Sequence, residues 1–396
     1  MTPIEIKNKI FWVGSVDWNL RDFHGYSTEK GSSYNSYLVL DEKNVLFDTV
    51  KKPFLATHLE NIRQIIDPSE IDYLVVNHAE MDHSGCLPDM VKIVKPEKII
   101  CSRMGEGAIK AHFHESDSWP IDVVDDGAEL SLGKRRARFY EVKMLHWPES
   151  MISYLVDDRV LVSNDIFGQH FASSGRYDED VDFAELMHQA AKYYANIVLP
   201  YSPLVQKLIA RVGELGLKFD IVAPSHGLIW RKHISDIVSA YDRWSKNITK
   251  RKALVIYDTM WHSTEKMANA IADGLISEGV EVIVMSLGVS HRSDIITEVL
   301  DSRALILGSP TLNNGILPRI ADFLTYLKGL RPQDKIGAAF GSYGWGGEAV
   351  KIINEYLESM KIKLVDDGVK VKFVPREGDL KKCFELGVKV AKALKA

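Results

Sequence analysis

Tyr73-Leu74-Val75-Val76-Asn77-His78-Ala79-Glu80-Met81-Asp82-His83 runs from four apolar residues straight into a loop with four ionisable side chains. A short apolar run bounded by a polar turn reads as a buried strand. Ligands of α/β proteins gather beyond the carboxyl ends of such strands. Two imidazoles and two carboxylates crowded there without a partner would carry a large desolvation cost. The loop therefore predicts bound metal. An extended or turning loop aims alternate side chains at one point, which suits His78, Glu80 and Asp82 and leaves His83 to face a neighbouring second ion.

Three further ligand types fall at or just after strand ends: His146 in Met144-Leu145-His146-Trp147-Pro148, Asp165 in Val162-Ser163-Asn164-Asp165, and His226 in Ala223-Pro224-Ser225-His226-Gly227. Alone, His146 or His226 would read as a satisfied structural histidine. Beside the first loop they complete a set of four imidazoles and three carboxylates. One metal cannot use all seven and keep an open position, whereas two metals sharing a bridging carboxylate can. Oxygen-rich ligation without thiolate leans toward iron or manganese. Iron passes electrons; zinc does not.

The chain has 396 residues, 46% of them hydrophobic and 26% charged, which is longer than one core usually holds and predicts two domains. No stretch approaches the roughly 18 uninterrupted apolar residues of a membrane span, and Lys7 and Lys9 interrupt any signal-type core. A cytoplasmic protein with no membrane partner is expected. A net charge of -5 supplies no basic field for nucleic acid. Cys86, Cys101 and Cys383 are odd in number and lack a C-x-x-C pair, against a disulfide framework or an iron–sulfur cluster.

Up to about Trp244, strand-like runs such as Tyr37 to Leu40 and Val45 to Asp48 alternate with turns and a few helices. Lys246 to Lys252 reads as a linker. A regular alternation follows. Strands are predicted at Ala253 to Tyr257, Glu281 to Met285, Ala304 to Leu307 and Ile336 to Phe340, with Met267, Ala268, Ile271, Ala272 and Leu275 on one helical face and another helix near Ile320 to Leu327. That pattern implies a parallel sheet with helices on both faces.

The first strand of this half opens into Thr259, Met260, Trp261, His262, Ser263 and Thr264, a hydroxyl-rich turn that leads into a helix. Hydroxyls and unpaired amides at a helix N-terminus cradle phosphate. With neither a triphosphate loop nor a G-x-G-x-x-G motif, a monophosphate fits best. A second loop carries Ser309, Pro310, Thr311, Leu312, Asn313, Asn314 and Gly315. The third carries Ser342, Tyr343, Gly344, Trp345 and Gly346, polar groups with two aromatic rings among them.

These motifs carry a family resemblance. His78-x-Glu80-x-Asp82-His83 resembles the H-x-H-x-D-H loop of the metallo-β-lactamase fold, with Glu80 for the second histidine as in the flavodiiron branch, and Thr259 and Thr264 resemble the hydroxyl positions of the flavodoxin FMN signature. The likeness covers nearly the whole chain, Trp12 to Trp18 included. It implies an α/β protein in which a metallo-β-lactamase-like αββα sandwich over residues 1–248 precedes a flavodoxin-like, doubly wound parallel sheet over 249–396. It also implies FMN and two irons: His78, Glu80 and His146 on one, Asp82, His83 and His226 on the other, bridged by Asp165 and an oxo or hydroxo group. His24, Tyr26 and Tyr194 match positions that line the metal pocket in relatives, where a phenol donates a hydrogen bond or proton.

The resemblance to the rubredoxin:oxygen oxidoreductase type, also called A-type flavoproteins, further implies reduction of dioxygen to water or nitric oxide to nitrous oxide. Only a terminal helix follows the flavodoxin-like half, so an external donor is expected, rubredoxin first and reduced deazaflavin second. A head-to-tail homodimer, or a dimer of such dimers, is the expected assembly. Two other readings remain at this point: a zinc-dependent hydrolase, which leaves the flavin loops idle, and a flavodoxin-type electron carrier.

Overall fold

The computed structural model describes residues 2–395. Tyr73–Val76 forms a strand with all four residues buried, paired in parallel with Val45–Phe47 on one side and Lys98–Ser102 on the other. An interior strand with both faces covered accounts for an unbroken apolar run. Among the described residues its sheet has seven strands, in the order Ile4–Lys7, Ile10–Trp12, Tyr37–Val39, Val45–Phe47, Tyr73–Val76, Lys98–Ser102, Ile121–Val124. A second sheet of five runs Glu129–Ser131, Arg136–Glu141, Met151–Leu155, Val160–Asn164, Ile221–Pro224.

Side chains alternate along each strand, which builds the layers. Phe47 and Val75 join Phe139, Leu155, Val162 and Ala223 of the second sheet in one buried cluster. Leu46, Leu74 and Val76 point the other way, onto Leu59, Ile62, Leu87, Met90 and Ile109. Those partners belong to helices Leu55–Arg63, Leu87–Val94 and Arg103–His112. Helices on the first sheet, two facing sheets, and helices Ser202–Glu214 and Ile234–Ser245 over the second give the αββα order. The metal loop leaves from the end of a strand in the first sheet, and Asp165 and His226 from the ends of two parallel strands in the second.

The six-stranded sheet of the C-terminal half is parallel throughout. Its central path is Glu281–Ser286, Lys250–Tyr257, Ser302–Gly308, Ile336–Tyr343, Lys363–Leu364, and Val369–Lys372 also pairs with Ile336–Tyr343. Val255, Tyr257, Ile306 and Phe340 pack on Met267, Ile271 and Leu275 of helix Ser263–Ser277 and on Cys383, Leu386 and Val390 of helix Glu377–Ala393. Those two helices touch at glycines. A Cβ on Gly274 would lie 2.1 Å from the Phe384 carbonyl oxygen, and one on Gly387 would lie 2.1 Å from that of Ile271.

Contacts divide the chain more finely than the sequence does. The first unit comprises the residues up to His24, Thr28–Tyr193 and Pro203–Asp242; the second takes Gly25–Ser27, Tyr194–Ser202 and the chain from Arg243 onward. Within the second unit Asn196 donates to the Ser293 carbonyl at 3.1 Å and the Tyr326 hydroxyl donates to Asn196 at 2.9 Å. The expected linker is also shorter than Lys246 to Lys252, because the strand begins at Lys250. Lys252 is buried there and its ammonium pairs with Glu298. A lysine with its charge matched can enter a sheet, so its charge misled the sequence reading.

Candidate metal and flavin sites

Beyond Val76 the chain turns at once into the short helix Met81–Ser84, and the ligand-type side chains are held from outside. His78 Nδ1 lies 2.7 Å from Glu149 Oε1, which leaves its Nε2 at 3.1 Å from Glu80 Oε2 and 3.5 Å from Asp165 Oδ2. His146 Nε2 is 3.2 Å from the same Asp165 oxygen and 3.4 Å from Glu80 Oε2. The other Asp165 oxygen, Oδ1, meets His83 Nε2 at 3.2 Å and His226 Nε2 at 3.5 Å. Asp82 Oδ2 is 3.1 Å from His226 Nε2, and His226 Nδ1 donates to the Ser33 carbonyl at 2.7 Å. Asp165 thus turns one oxygen toward each of two imidazole pairs.

A hydrogen bond on the far ring nitrogen fixes both the tautomer and the aim of a ligating histidine. Glu149 does this for His78 and Ser33 for His226. Gly227 lets the chain leave His226: its φ is +79°, and a Cβ there would lie 1.7 Å from Gln169 Oε1.

The charges show what the cage is built for. Burial alone would raise the Glu80 carboxyl, but hydrogen bonds from His146, His24 and His78 hold it far below the ordinary range. Asp165 and Asp82 likewise stay ionised against burial, through His83 and its neighbours. Burial opposes charge on His83 and His146, yet the surrounding carboxylates push each up to about 10. Protons on imidazole are thus the charge balance of the bare side chains. Divalent cations would supply it in their place. Both oxygens of Asp82 and of Asp165 and both ring nitrogens of His83 are buried without a hydrogen-bond partner. Native proteins rarely leave such atoms unpaired. The ligand atoms of His78, Glu80, His146 and Asp165 lie within 4.8 Å of one another, as do those of Asp82, His83 and His226. The residues fit two metal ions.

In the second unit, three loops following the ends of Lys250–Tyr257, Ser302–Gly308 and Ile336–Tyr343 surround a cleft of about 510 Å³. Met260, Trp261 and Ser263 line it from the first loop, Pro310, Thr311, Leu312 and Asn313 from the second, and Ser342, Tyr343, Gly344 and Trp345 from the third. Asn313 and Asn314 have φ of 49° and 58°, a left-handed turn that asparagine tolerates. Trp261 and Trp345 are 87% and 88% exposed, two large flat rings held out at the rim. The volume suits a cofactor-sized ligand. Exposed aromatic faces and a helix N-terminus in one cleft fit a flavin mononucleotide.

Two family models divide the chain at the same place: the ODP family beta lactamase matches residues 33–227 and flavodoxin matches 255–387. The nitric oxide reductase of Moorella thermoacetica is 47% identical over 392 residues, which is 98% of each chain. Among solved structures, the rubredoxin oxygen:oxidoreductase of Desulfovibrio gigas superposes with a TM-score of 0.98 at 45% identity, covering 100% of this chain and 99% of its own. The flavodiiron protein of Giardia intestinalis superposes at 0.96 with 34% identity, covering 100% and 97%. This chain belongs to the flavodiiron proteins. It is an oxidoreductase whose cofactors are FMN and a pair of irons.

The structure distributes the remaining expected residues of this flavodiiron chain unevenly. His24 joins the metal side, with its Nε2 3.1 Å from Glu80 Oε1 and its side chain 59% exposed. Tyr26 is buried and belongs by its contacts to the second unit. Tyr194 needs a correction. Its hydroxyl lies 2.9 Å from Ser202 Oγ and its ring 5.2 Å from Trp244, all within the second unit. Of the two adjacent tyrosines, the one beside the imidazoles is Tyr193, with its ring 5.2 Å from His170 and 6.2 Å from His226. The α-helix Phe183–Tyr193 gives way to a π-turn at Tyr194–Val198, so adjacent tyrosines part company.

On the flavin side, Asn314 and Gly346 border a small annex to the cleft, and Gly315 closes the second loop on Leu312. Ser309 is turned inward to accept from Leu317 N at 3.0 Å, and Thr264 Oγ1 lies 3.2 Å from Ser342 Oγ. His262 caps the helix start with φ of 62°, 2.6 Å from Glu265, while Thr259 N donates to Asp258. Of the expected flavin residues, Thr259, His262, Thr264, Ser309 and Gly315 shape the loops behind the cleft wall.

Sequence reading missed Glu149, His170, Tyr193, Phe373 and Val374. Phe373 and Val374 complete the cleft wall after strand Val369–Lys372, whose Val-Lys alternation was a legible strand signal. His170 packs 4.9 Å from His226 and lies 2.7 Å from Ser32 Oγ; burial first, and then its neighbour His226, push it well below the ordinary histidine value.

Proposed function

We propose that this flavodiiron protein reduces dioxygen to water or nitric oxide to nitrous oxide with electrons from a separate donor. The observation that carries the reading is Asp165, whose two oxygens turn toward different imidazole pairs. Relatives bearing the names nitric oxide reductase and rubredoxin oxygen:oxidoreductase support the same two gases. Rubredoxin is the first-choice donor and reduced deazaflavin the second, with the cytoplasm as the compartment. A head-to-tail homodimer, or a pair of such dimers, is the assembly that would bring one subunit's flavin to the other's irons.

When bound, FMN takes up one or two electrons and the iron pair two, which meets the demand of either gas. The chain's own work is positioning and proton control. Glu149 and the Ser33 carbonyl keep His78 and His226 aimed inward. Tyr193, whose phenol burial pushes well up, stays protonated at neutral pH and is a donor beside His226. The hydrogen bond to Glu80 raises the His24 pKa above its ordinary value, and its solvent-facing ring can exchange a proton with water.

One anaerobic assay tests this, with reduced rubredoxin or reduced deazaflavin as donor and dioxygen or nitric oxide as acceptor. The expected result is yellow protein with two irons per chain that consumes at least one gas. Colourless protein holding only zinc, or flavin reduction without consumption of either gas, sinks the reading.

A further inference from the structure

The largest cavity described in the first unit, about 580 Å³, lies outside the metal cage, between the second sheet and its covering helices. Leu161 faces it from strand Val160–Asn164, Leu208 and Val212 from helix Ser202–Glu214, and Val238 from helix Ile234–Ser245. Ile166 and Phe167 complete the wall, and they directly follow Asp165. One peptide unit, about 3.8 Å from Cα to Cα, therefore separates this wall from the bridging carboxylate's residue.

The polar groups at its edge already have work. Ser163 Oγ donates to the Ile166 carbonyl at 2.8 Å, and the Tyr241 hydroxyl accepts from Phe167 N at 2.9 Å. Arg231 is committed to Glu179 at 2.6 Å, and Lys232 and Ser235 are exposed. Trp230 Nε1 donates to the Phe167 carbonyl at 2.8 Å, which pins the wall from behind. A polar ligand would thus lose water and gain little inside. A small apolar solute gains by leaving water for these walls, even though the pocket is partly open to solvent and Leu208, Val212 and Val238 are only half-buried.

We propose that this cavity takes up the small apolar gas consumed at the metal site and holds it against Ile166 and Phe167, the two residues that follow Asp165. The inference rests on the proposed function and adds to it an apolar uptake site in the outer layer of the first domain. It assigns Leu208 and Val212 to substrate access, a role that leaves metal binding and chemistry untouched.

Xenon pressurisation of crystals of the holoenzyme tests occupancy directly, with density expected between Leu208 and Phe167. Leu208→Trp fills the same space, and Leu208→Phe does so more gently if the larger ring prevents folding. In oxygen-electrode or nitric oxide-electrode assays, at equal iron and FMN content, KM for the gas should rise about fivefold at unchanged kcat. Absent xenon in an active enzyme overturns the cavity alone, as does an unchanged KM or a loss confined to kcat. Wild-type enzyme that consumes neither gas overturns the functional reading, and this inference with it.

Discussion

The metal loop and the flavin loops both follow strand ends, yet they solve opposite problems. His78, Asp82, His83, Asp165 and His226 are all buried, and the last four share partners across two sheets. Trp261, Trp345, Phe373 and Val374 stand mostly in solvent around an open cleft. A cation cage works by withdrawing charges from water until only a metal can satisfy them. A planar cofactor instead needs flat apolar walls with backbone amides at one end. The two sites should therefore fail differently when damaged.

Asp165→Ala strikes hardest, because one residue serves both imidazole pairs. Gas turnover should fall on the order of 10³-fold, with both irons lost together while the flavin absorbance persists. Elemental analysis and a gas electrode check this. Loss of a single iron would break the picture of one shared carboxylate.

The first unit should also be the acid-sensitive one. Burial pushes buried His58 down to about 4 from an ordinary 6.5, although its Nδ1 donates to the Val13 carbonyl. As pH falls through 6.5 the unfolded chain takes up a proton that the folded chain refuses. Stability is therefore intact above pH 6.5 and lost between 6.5 and 4, by about 3 kcal/mol from this residue. Urea melts of wild type and His58→Leu across that range should converge as pH falls; parallel curves would refute the assignment.

Glu149→Ala should lower metal affinity about 10- to 100-fold, by releasing His78 and the Ala79 amide that the same oxygen holds, as chelator competition will report, and leave FMN bound. The smallest effect belongs to the open site. Trp345→Ala should leave unfolding within about 0.5 kcal/mol of wild type and weaken FMN binding by about 1 kcal/mol, measured by fluorescence titration at constant iron. An iron loss in that variant would mean the two sites are not independent.

How much was legible varied by residue. Tyr73 to His83 was readable because a buried strand cannot tolerate four unpaired ionisable groups, and His146, Asp165 and His226 because each ends an apolar run. Glu149 was not: a carboxylate three residues past His146 has no periodicity to mark it, and only folding brings it 2.7 Å from His78. Tyr193 and Tyr194 were indistinguishable in a Lys-Tyr-Tyr-Ala string until the π-turn divided them between the two units. Lys250 to Lys252 looked like a linker because charge was visible and its partner Glu298 was not.

Residue order by itself determined the two kinds of layer, the strand ends that carry function, and the seven side chains suited to a pair of metals, since these depend on local apolar patterning and on the cost of burying charge. Tertiary structure alone decided which oxygen of Asp165 faces which imidazoles, which of two adjacent tyrosines stands beside His226, and where an apolar cavity lies between the second sheet and its helices. Those facts depend on distances between residues far apart in the chain, and no local preference encodes them.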